Sequence, residues 1–312
     1  MLSLRNLVIP CIAFMSIMLF TNQFFDSYSR LERAIWNSGH FVLFALSVWL
    51  LLTHTKLKND GWKKLLIISL LFSFIIGMSI ELIQSTIGRD MDRADLITDI
   101  LGGFFGFLLA ATAWREIKES KIRPYIYITM GLVFLIAFYP VTHILLDNYR
   151  MQSRFPVLAD FESSAELQRW EHANVIRFET STDHVSNGDY SLYVKFGLSQ
   201  YPQISLLHFP SDWSGYDYLN LDIYNTQKIP TRIVLKVYDR LHRLRGSVLN
   251  DRYNQVFTLK PGWNKLQVSL QRIKNAPATR LMNIDDIALV SLFIIEPEKS
   301  VSIYVDNLSL SM

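Results

Sequence analysis

The sequence predicts a two-part protein, an all-α bundle of five transmembrane helices followed by an all-β sandwich of the jelly-roll type. Three observations lead to this fold class. Of the 312 residues, 50% are hydrophobic and 19% are charged, whereas soluble domains contain about 25% charged residues. The long apolar stretches all lie within the first 150 residues. The remaining residues form short runs in which polar and apolar side chains alternate.

The charge is divided in the same way. Residues 1–150 contain 14 Lys and Arg against 11 Asp and Glu, and residues 151–312 contain 17 of each, so the net charge of +3 lies in the first half. The apolar composition excludes a disordered chain, and a single cysteine excludes a disulfide scaffold. The neutral second half excludes a basic nucleic-acid-binding domain, so we expect no nucleic-acid partner.

Five apolar stretches predict the membrane helices. Each is close to the roughly 20 residues that cross a hydrocarbon core, and none shows the polar face of a soluble amphipathic helix. The first is not followed by the small-residue cleavage site of a signal peptide, so we expect it to be retained. The helices are predicted near residues 7–25, 36–54, 65–84, 96–114 and 125–146. We assign residues 1–148 to the membrane domain and residues 149–154 to a tether.

Basic residues in the loops predict the orientation. The N-terminal tail and the second and fourth loops contain nine Lys and Arg, against four in the first and third loops. Because cytoplasmic loops carry the excess of Lys and Arg, the N-terminus is predicted to be cytoplasmic and the C-terminal domain extracytoplasmic. This is the topology of a multi-pass protein of the cytoplasmic (inner) membrane.

Polar side chains inside the predicted helices indicate a site. Such residues are costly in a membrane, so they commonly pair or line a cavity. The second helix enters, the third leaves and the fourth re-enters on the same outer side, so their polar residues have a common depth. The loop between the third and fourth helices adds an arginine. The set comprises His40, Glu81, Gln84, Arg89, Asp95 and Asp99.

Spacing along the helices refines this prediction. Glu81 and Gln84 are three residues apart and Asp95 and Asp99 are four apart, so each pair shares one helix face. Small residues let a neighbouring helix approach closely. We therefore expect the third and fourth helices to pack together with their acids in the seam, where the Asp95–Asp99 face continues through Gly102 and Gly106.

The polar set resembles the VanZ-like family of bacterial membrane proteins over about residues 30–115. That family has a His on one helix, E-x-x-Q on the next, and then R-x5-D-x3-N-x2-G-x3-G. Here the pattern is met by His40, by ELIQ at 81–84 and by the run that starts at Arg89, with Asp99 in place of the Asn. Phe44 and Asn37 stand where the family usually has Tyr and Lys. The resemblance implies a cell-envelope role and, from the family's founding member, a role in tolerance of a glycopeptide antibiotic.

Two interpretations of the polar set are open. It could bind a phosphate or a polar headgroup, with Arg89 holding the anion as a planar fork and Glu81 or His40 moving a proton. The candidates for catalysis would then be His40, Glu81, Arg89 and Asp95. Alternatively, the set is an ion-pair network that fixes helix packing, and losing one partner would destabilise the domain. The sequence does not decide whether the protein is an enzyme.

The second half, residues 155–312, has the pattern of an antiparallel sheet protein. Period-two alternation separated by turn residues predicts nine or ten strands, which suits a two-sheet jelly roll. Examples of these alternating runs are residues 191–196, 218–224, 232–238, 265–270 and 301–306. The order of its motifs resembles carbohydrate-binding modules of the galactose-binding-like fold. These motifs are DFE at 160–162, SNGDYSL at 186–192, WSGYDYL at 213–219 and YVDNL at 304–308.

That resemblance implies two kinds of ligand. In such sandwiches a calcium ion often joins the first and last strands, which would make Glu162 and Asp306 its ligands, since calcium prefers oxygen atoms. Sugar binding usually needs exposed aromatic side chains beside polar groups. Trp170, Trp213 and Trp263 are instead expected in the core or at corners of the sandwich.

Together these features predict a VanZ-like envelope protein that contacts membrane lipid and binds or helps to process envelope glycan or lipid-linked sugar. The alternative is a non-enzymatic, membrane-anchored adaptor whose sandwich recruits a carbohydrate or protein partner. The two differ in whether the helices contribute more than an anchor.

Overall fold

The computed structural model describes residues 4–18, 30–55, 57, 61–86 and 93–312, and the chain divides into two compact units between Leu145 and Leu146. A helical part precedes a two-sheet antiparallel β-sandwich, which confirms the predicted fold class. The helices of the first part are α1 (Leu4–Met18), α2 (Arg30–His54), α3 (Trp62–Thr86), α4 (Arg93–Ala111), the single turn α5 (Arg115–Lys118) and α6 (Arg123–Arg154).

Four of these helices, α2, α3, α4 and α6, are long and apolar enough to cross a membrane. They correspond to the second to fifth predicted spans. For the first span, the described part ends with α1 at Met18, and residues 19–25 of that prediction lie outside the described residues. Within the described chain, α1 contributes a shorter apolar stretch, Val8–Ile17.

Helix α3 has the side-chain distribution of a membrane helix. Its buried stripe is mostly small or polar, whereas its exposed positions carry large aliphatic and aromatic side chains. A soluble helix has the opposite arrangement, and small or polar helix contacts are typical of membrane proteins. The buried stripe consists of Leu65, Ser69, Ser73, Gly77, Glu81 and Gln84.

Glycines on α4 allow two neighbouring helices to approach it. A Cβ atom on Gly102 would lie 2.4 Å from the carbonyl oxygen of Phe41, and one on Gly106 would lie 2.3 Å from that of Ala45, both on α2. On the other side, Gly103 packs against Ser73 of α3. The helix that approaches Gly102 and Gly106 is therefore α2, while α3 approaches through different positions. The acids lie in a seam of three helices.

Helix α6 is longer than the sequence predicts. It continues to Arg154, so residues 149–154, where we expected a tether, are helical. Its last turns belong to the second compact unit. There, Asp147 pairs with Arg169, and Arg154 pairs with Asp160. These ion pairs explain why the helix does not end where its apolar stretch ends.

The sandwich contains eleven strands in two antiparallel sheets. The first sheet has the order β3-β4-β11-β6-β9, with β1 paired to β11, and the second has the order β2-β5-β10-β7-β8. The strands are β1 (Val157–Ala159), β2 (Trp170–Ala173), β3 (Val175–Ser181), β4 (Ser191–Phe196), β5 (Gln203–Leu206), β6 (Tyr218–Asn225), β7 (Thr231–Asp239), β8 (Tyr253–Leu259), β9 (Gly262–Ser269), β10 (Ile287–Phe293) and β11 (Val301–Ser311). Two short helices, α7 (Arg240–Leu244) and α8 (Leu270–Lys274), follow β7 and β9.

One hydrophobic core fills the space between the sheets. Alternate residues of each strand point inward, for example Ile233, Leu235 and Val237 of β7. Trp170 and Trp213 belong to this core, as expected from the sequence. Trp263 does not: it contacts Tyr224 on the outer face of the first sheet, with ring centroids 5.4 Å apart. The period-two alternation on β9 puts it there.

Candidate functional site

The polar residues of the bundle meet around His40. Nδ1 of His40 lies 3.0 Å from Oδ1 of Asp99, and its Nε2 lies 3.9 Å from Oδ2 of Asp95. All three side chains are at most 2% exposed. One imidazole therefore lies between two carboxylates one helical turn apart on α4, an arrangement that can hold a proton or pass it from one carboxylate to the other.

Helix α3 contributes the remaining described members of the set. Glu81 and Gln84 are buried, and Glu81 lies near Asp99. Gly77 makes room for this arrangement, because a Cβ atom there would lie 2.5 Å from Oδ2 of Asp99. Arg89 lies outside the described residues. The structure thus brings His40, Asp95 and Asp99 into contact with Glu81 beside them, and their role stays a prediction.

Glu162 and Asp306 both hold one loop of the sandwich, residues 186–190. Oδ2 of Asp306 accepts hydrogen bonds from the backbone N–H groups of Ser186 (2.8 Å) and Asn187 (3.0 Å). Oε1 of Glu162 accepts from those of Asp189 (2.8 Å) and Tyr190 (3.0 Å). The loop between these anchors passes so close to Glu162 that only a glycine fits at 188, where φ is +80°.

This donor set does not fit calcium. Calcium is bound by oxygen atoms, whereas the groups that face the two carboxylates here are backbone N–H donors. Within the described part of the chain, no group of three or more His, Cys, Asp and Glu residues is arranged to hold a metal ion. Burial raises the pKa of Asp306, although the N–H groups of the loop oppose that rise.

The outer face of the first sheet carries a row of aromatic side chains. Strand register places Tyr193, Tyr304, Tyr224 and Trp263 side by side on β4, β11, β6 and β9. His184, from the loop before β4, stacks on Tyr224 with ring centroids 3.8 Å apart. Tyr304 is only 9% exposed. These rings therefore pack mainly against one another and against His184.

The outer face of the second sheet combines polar groups with an aromatic ring. Register aligns one residue from each strand, in the order Glu171, Ser205, Ser291, Lys236 and Asn254. The adjacent row contains Gln203 and Phe293, which are paired on β5 and β10. We call this surface, formed by the five aligned residues with Gln203 and Phe293, the second-sheet face.

Contacts on the second-sheet face fix the positions of its polar groups. Nζ of Lys236 donates to Oε1 of Gln203 (3.2 Å) and lies 5.6 Å from the centroid of the Phe293 ring. The hydroxyls of Ser205 and Ser291 are 2.9 Å apart. Lys236, Gln203 and Phe293 are half-buried. The face thus presents an amide, an ammonium group and a ring in one partly enclosed place.

An arginine clamp borders this face. Arg280 donates to both carboxylate oxygens of Asp251 at 2.7 and 2.8 Å, and to both of Asp239, one of them at 2.8 Å. Asp239 also caps α7 by accepting from the backbone N–H of His242 (3.1 Å). The hydrogen bonds from Arg280 lower the pKa of Asp251. Through these hydrogen bonds Arg280 connects the end of β7 with the residue two positions before β8.

The sequence indicated some residues of these faces but not how they meet. The strands that carry Lys236, Tyr224 and Tyr304 were predicted from alternation. Alternation shows that a residue points outward, but it does not show which strand lies beside its own. Gln203 and Phe293 were missed for this reason, since register between distant strands sets their positions.

Residues 3–114 match the family model described as VanZ/LLP1. No curated protein matches the chain by sequence. Among solved structures, the chain is similar to the family 11 carbohydrate-binding module from Clostridium thermocellum in complex with a β-1,3-1,4-mixed-linked tetrasaccharide (17% identity, TM-score 0.38, covering 50% of this chain and 94% of that chain). A carbohydrate-binding module specific for non-crystalline cellulose is also similar (14% identity, TM-score 0.36, 51% and 93%). For an exo-β-agarase the values are 16% identity and a TM-score of 0.40 over 50% of this chain, which spans only 24% of the agarase.

Proposed function

We propose that this protein is a membrane-anchored carbohydrate-binding protein whose sandwich binds envelope glycan on the second-sheet face. The observation that supports this function is the half-buried group of Gln203, Lys236 and Phe293. Sugar sites combine a few convergent hydrogen-bonding groups with an apolar ring. Here the amide and the ammonium group can bind sugar hydroxyls, while the ring of Phe293 offers an apolar surface to the C–H groups.

The outer face of the first sheet is less suited to binding a sugar. Its rings contact one another, and His184 lies over Tyr224. A sugar would first have to displace the loop that Glu162 and Asp306 hold. At the border of the second-sheet face, Tyr201 contacts Phe293 edge-on and is 48% exposed.

The proposed topology places this face outside the cytoplasm. The N-terminus is cytoplasmic because the tail and the even-numbered loops carry nine basic residues against four on the other side. Alkaline phosphatase fused after residue 312 should then be active, and fused after residue 60 it should be inactive. The reverse pattern would contradict the orientation.

Glycan binding is tested with the full chain in lipid nanodiscs on an array of neutral and acidic oligosaccharides. We expect Phe293→Ala to abolish binding, because it removes the ring of the site. The matched control is Trp263→Ala, which removes an aromatic side chain from the first sheet and should leave binding intact. Loss of binding in the control but not in Phe293→Ala would move the site to the first sheet. Absence of binding by the unaltered chain would overturn the carbohydrate-binding function and favour an adaptor for a protein partner.

The cluster around His40 is the second part of the proposal. We propose that His40, Glu81, Gln84, Asp95 and Asp99, with Arg89, bind the polar end of a lipid-linked sugar, and that this binding contributes to tolerance of a glycopeptide antibiotic. The supporting observation is the contact of one imidazole with two carboxylates. A deletion strain complemented with Glu81→Gln or Arg89→Ala should lose tolerance. If these variants are as abundant as the unaltered protein and the strains keep full tolerance of the antibiotic, the cluster would have only a role in helix packing.

A further inference from the structure

Two cationic side chains, one within the second-sheet face and one at its edge, lie next to each other with no carboxylate partner among the described residues. Lys236 is on β7, and Arg252 immediately precedes β8, diagonally across from it, since Val237 pairs with Tyr253 and Lys236 with Asn254. Within the described residues, neither side chain has a carboxylate oxygen within 4.0 Å. Among the described residues, the one hydrogen-bond partner of the Lys236 ammonium group is the neutral amide oxygen of Gln203.

Nearby acids are engaged elsewhere. Asp239 and Asp251 at the border of the face are held by Arg280, which donates to all four of their carboxylate oxygens. Glu171 lies in the same row as Lys236 but three strands away, which is about 14 Å at the usual strand spacing. The charge of the lysine–arginine pair is therefore not neutralised by the sandwich itself.

The two cations are also withdrawn from water. The Nε atom of Arg252 is buried and makes no hydrogen bond with the described residues. Burial, reinforced by the nearby charge of Arg252, lowers the pKa of Lys236 to about 8. Burial lowers the pKa of Arg252 as well. Two like charges that are half-buried side by side destabilise a fold, and side chains whose pKa is shifted by burial and by a neighbouring charge cluster at functional sites.

We infer that the glycan bound on the second-sheet face is acidic, with a carboxylate or sulfate group held between Lys236 and Arg252. This inference rests on the proposed carbohydrate-binding function and specifies its ligand. The guanidinium group of Arg252 can bind an oxyanion through two parallel hydrogen bonds. The Lys236 ammonium group adds a point charge at the end of the Gln203–Phe293 pair.

The experiment measures binding by the full chain in nanodiscs of neutral lipid to three probes. These are tetragalacturonate, a sulfated galactose tetrasaccharide and neutral cellotetraose, so that carboxylate and sulfate ligands are distinguished. The variants are Lys236→Gln and Arg252→Gln. Lys195→Gln is the matched control, because Lys195 is also half-buried on an outer face but belongs to the first sheet.

We expect at least tenfold tighter binding of one acidic probe than of cellotetraose, and loss of that preference in both variants but not in the control. The preference should weaken with added salt and as the pH rises through the titration of Lys236. The other charged or titratable side chains that the structure describes on or beside this outer face are Arg252, Arg232, Glu171, Tyr238 and His242. Lys236→Gln should also raise the melting temperature of the ligand-free protein, because it removes an uncompensated charge.

Equal affinity for acidic and neutral probes, or an unchanged preference in both variants, would overturn the acidic-ligand inference and leave carbohydrate binding standing. If the chain binds none of the three probes and no oligosaccharide on the array, the carbohydrate-binding function itself would be overturned. A lower melting temperature in Lys236→Gln would show that the lysine stabilises the fold and would also count against an anion site.

Discussion

Arg169 and Asp147 form a buried, two-pronged ion pair, with Nη2 of Arg169 2.6 Å from Oδ1 of Asp147 and Nε 3.0 Å from Oδ2. Both side chains are at most 4% exposed. Asp147 belongs to the last turns of α6, and Arg169 ends the 3-10 helix Ser164–Arg169 that precedes β2. The end of the helix is therefore part of the sandwich's own fold.

Asp147→Asn should lower the free energy of unfolding of the sandwich by about 3 kcal/mol or more, because it leaves a buried guanidinium group without its counter-charge. Denaturant unfolding followed by tryptophan fluorescence measures this. Glu179→Gln is the control, because its partner Arg177 and Glu179 itself are both more than half exposed and such pairs contribute about 1 kcal/mol or less. Equal effects of the two substitutions would contradict the prediction.

A soluble fragment of residues 146–312 should be more stable than one of residues 155–312. The shorter fragment retains Arg169 but lacks Asp147 and Arg154, so Arg169 and Asp160 lose their partners. Thermal unfolding of the two fragments at the same pH tests this. If the melting temperatures agree, the last turns of α6 do not stabilise the sandwich.

Glu166 should make the stability of the sandwich depend on pH. Burial raises its pKa from 4.5 to about 7, against the opposing hydrogen bond from the backbone N–H of Phe161. The folded state therefore binds more protons than the unfolded state between these pH values, and stability falls as the pH rises through that window, by about 3 kcal/mol at most. In Glu166→Gln this fall should be absent when melting temperatures at pH 5 and pH 7.5 are compared. A fall of the same size in the variant would assign the effect to another group.

Gly106→Ala should disrupt the packing of α2 on α4, because its Cβ would meet the backbone oxygen of Ala45 at 2.3 Å. Backbone atoms cannot move aside as a flexible side chain can. Gly131→Ala on α6 is the matched control, with no atom within 4 Å of the added Cβ, and it should be neutral or slightly stabilising, since alanine favours helix more than glycine. The measurement is the melting temperature of each variant and of the unaltered protein in the same detergent. A Gly106→Ala protein as stable as the unaltered one would contradict the observed helix contact.

His40→Ala should destabilise the bundle, because Asp95 and Asp99 would face each other without the imidazole between them. Breaking a buried charged network by removing one partner costs about 3–5 kcal/mol. His54→Ala at the exposed end of the same helix is the control. Thermal unfolding of both variants in the same detergent provides the comparison, and similar melting temperatures would mean that His40 does not neutralise the cluster.

Hydropathy and alternation were enough to locate the elements, since the four long helices and strands such as β4, β7 and β11 lie where the patterns put them. Spacing also placed Asp95 and Asp99 on one face. What the sequence could not supply was the identity of each neighbour. Gly102 signalled a close helix contact, but only the packing shows that Phe41 of α2 makes it. Hydropathy likewise predicted an end for α6 that is too early. A local hydropathy pattern cannot show that Asp147 pairs with Arg169, which is distant in the sequence.

The position of β11 has a consequence for how the chain assembles during its synthesis. This strand, residues 301–311, lies between β4 and β6 and also pairs with β1, and its Asp306 anchors the loop at residues 186–190. Until the ribosome has made these residues, β4 and β6 each have an unpaired strand edge, because β11 is the strand that pairs with both. Unpaired edges invite wrong pairings. The first sheet therefore cannot close until residues 301–311 have been made, and a chain that stalls before residue 301 should leave an open, aggregation-prone sheet.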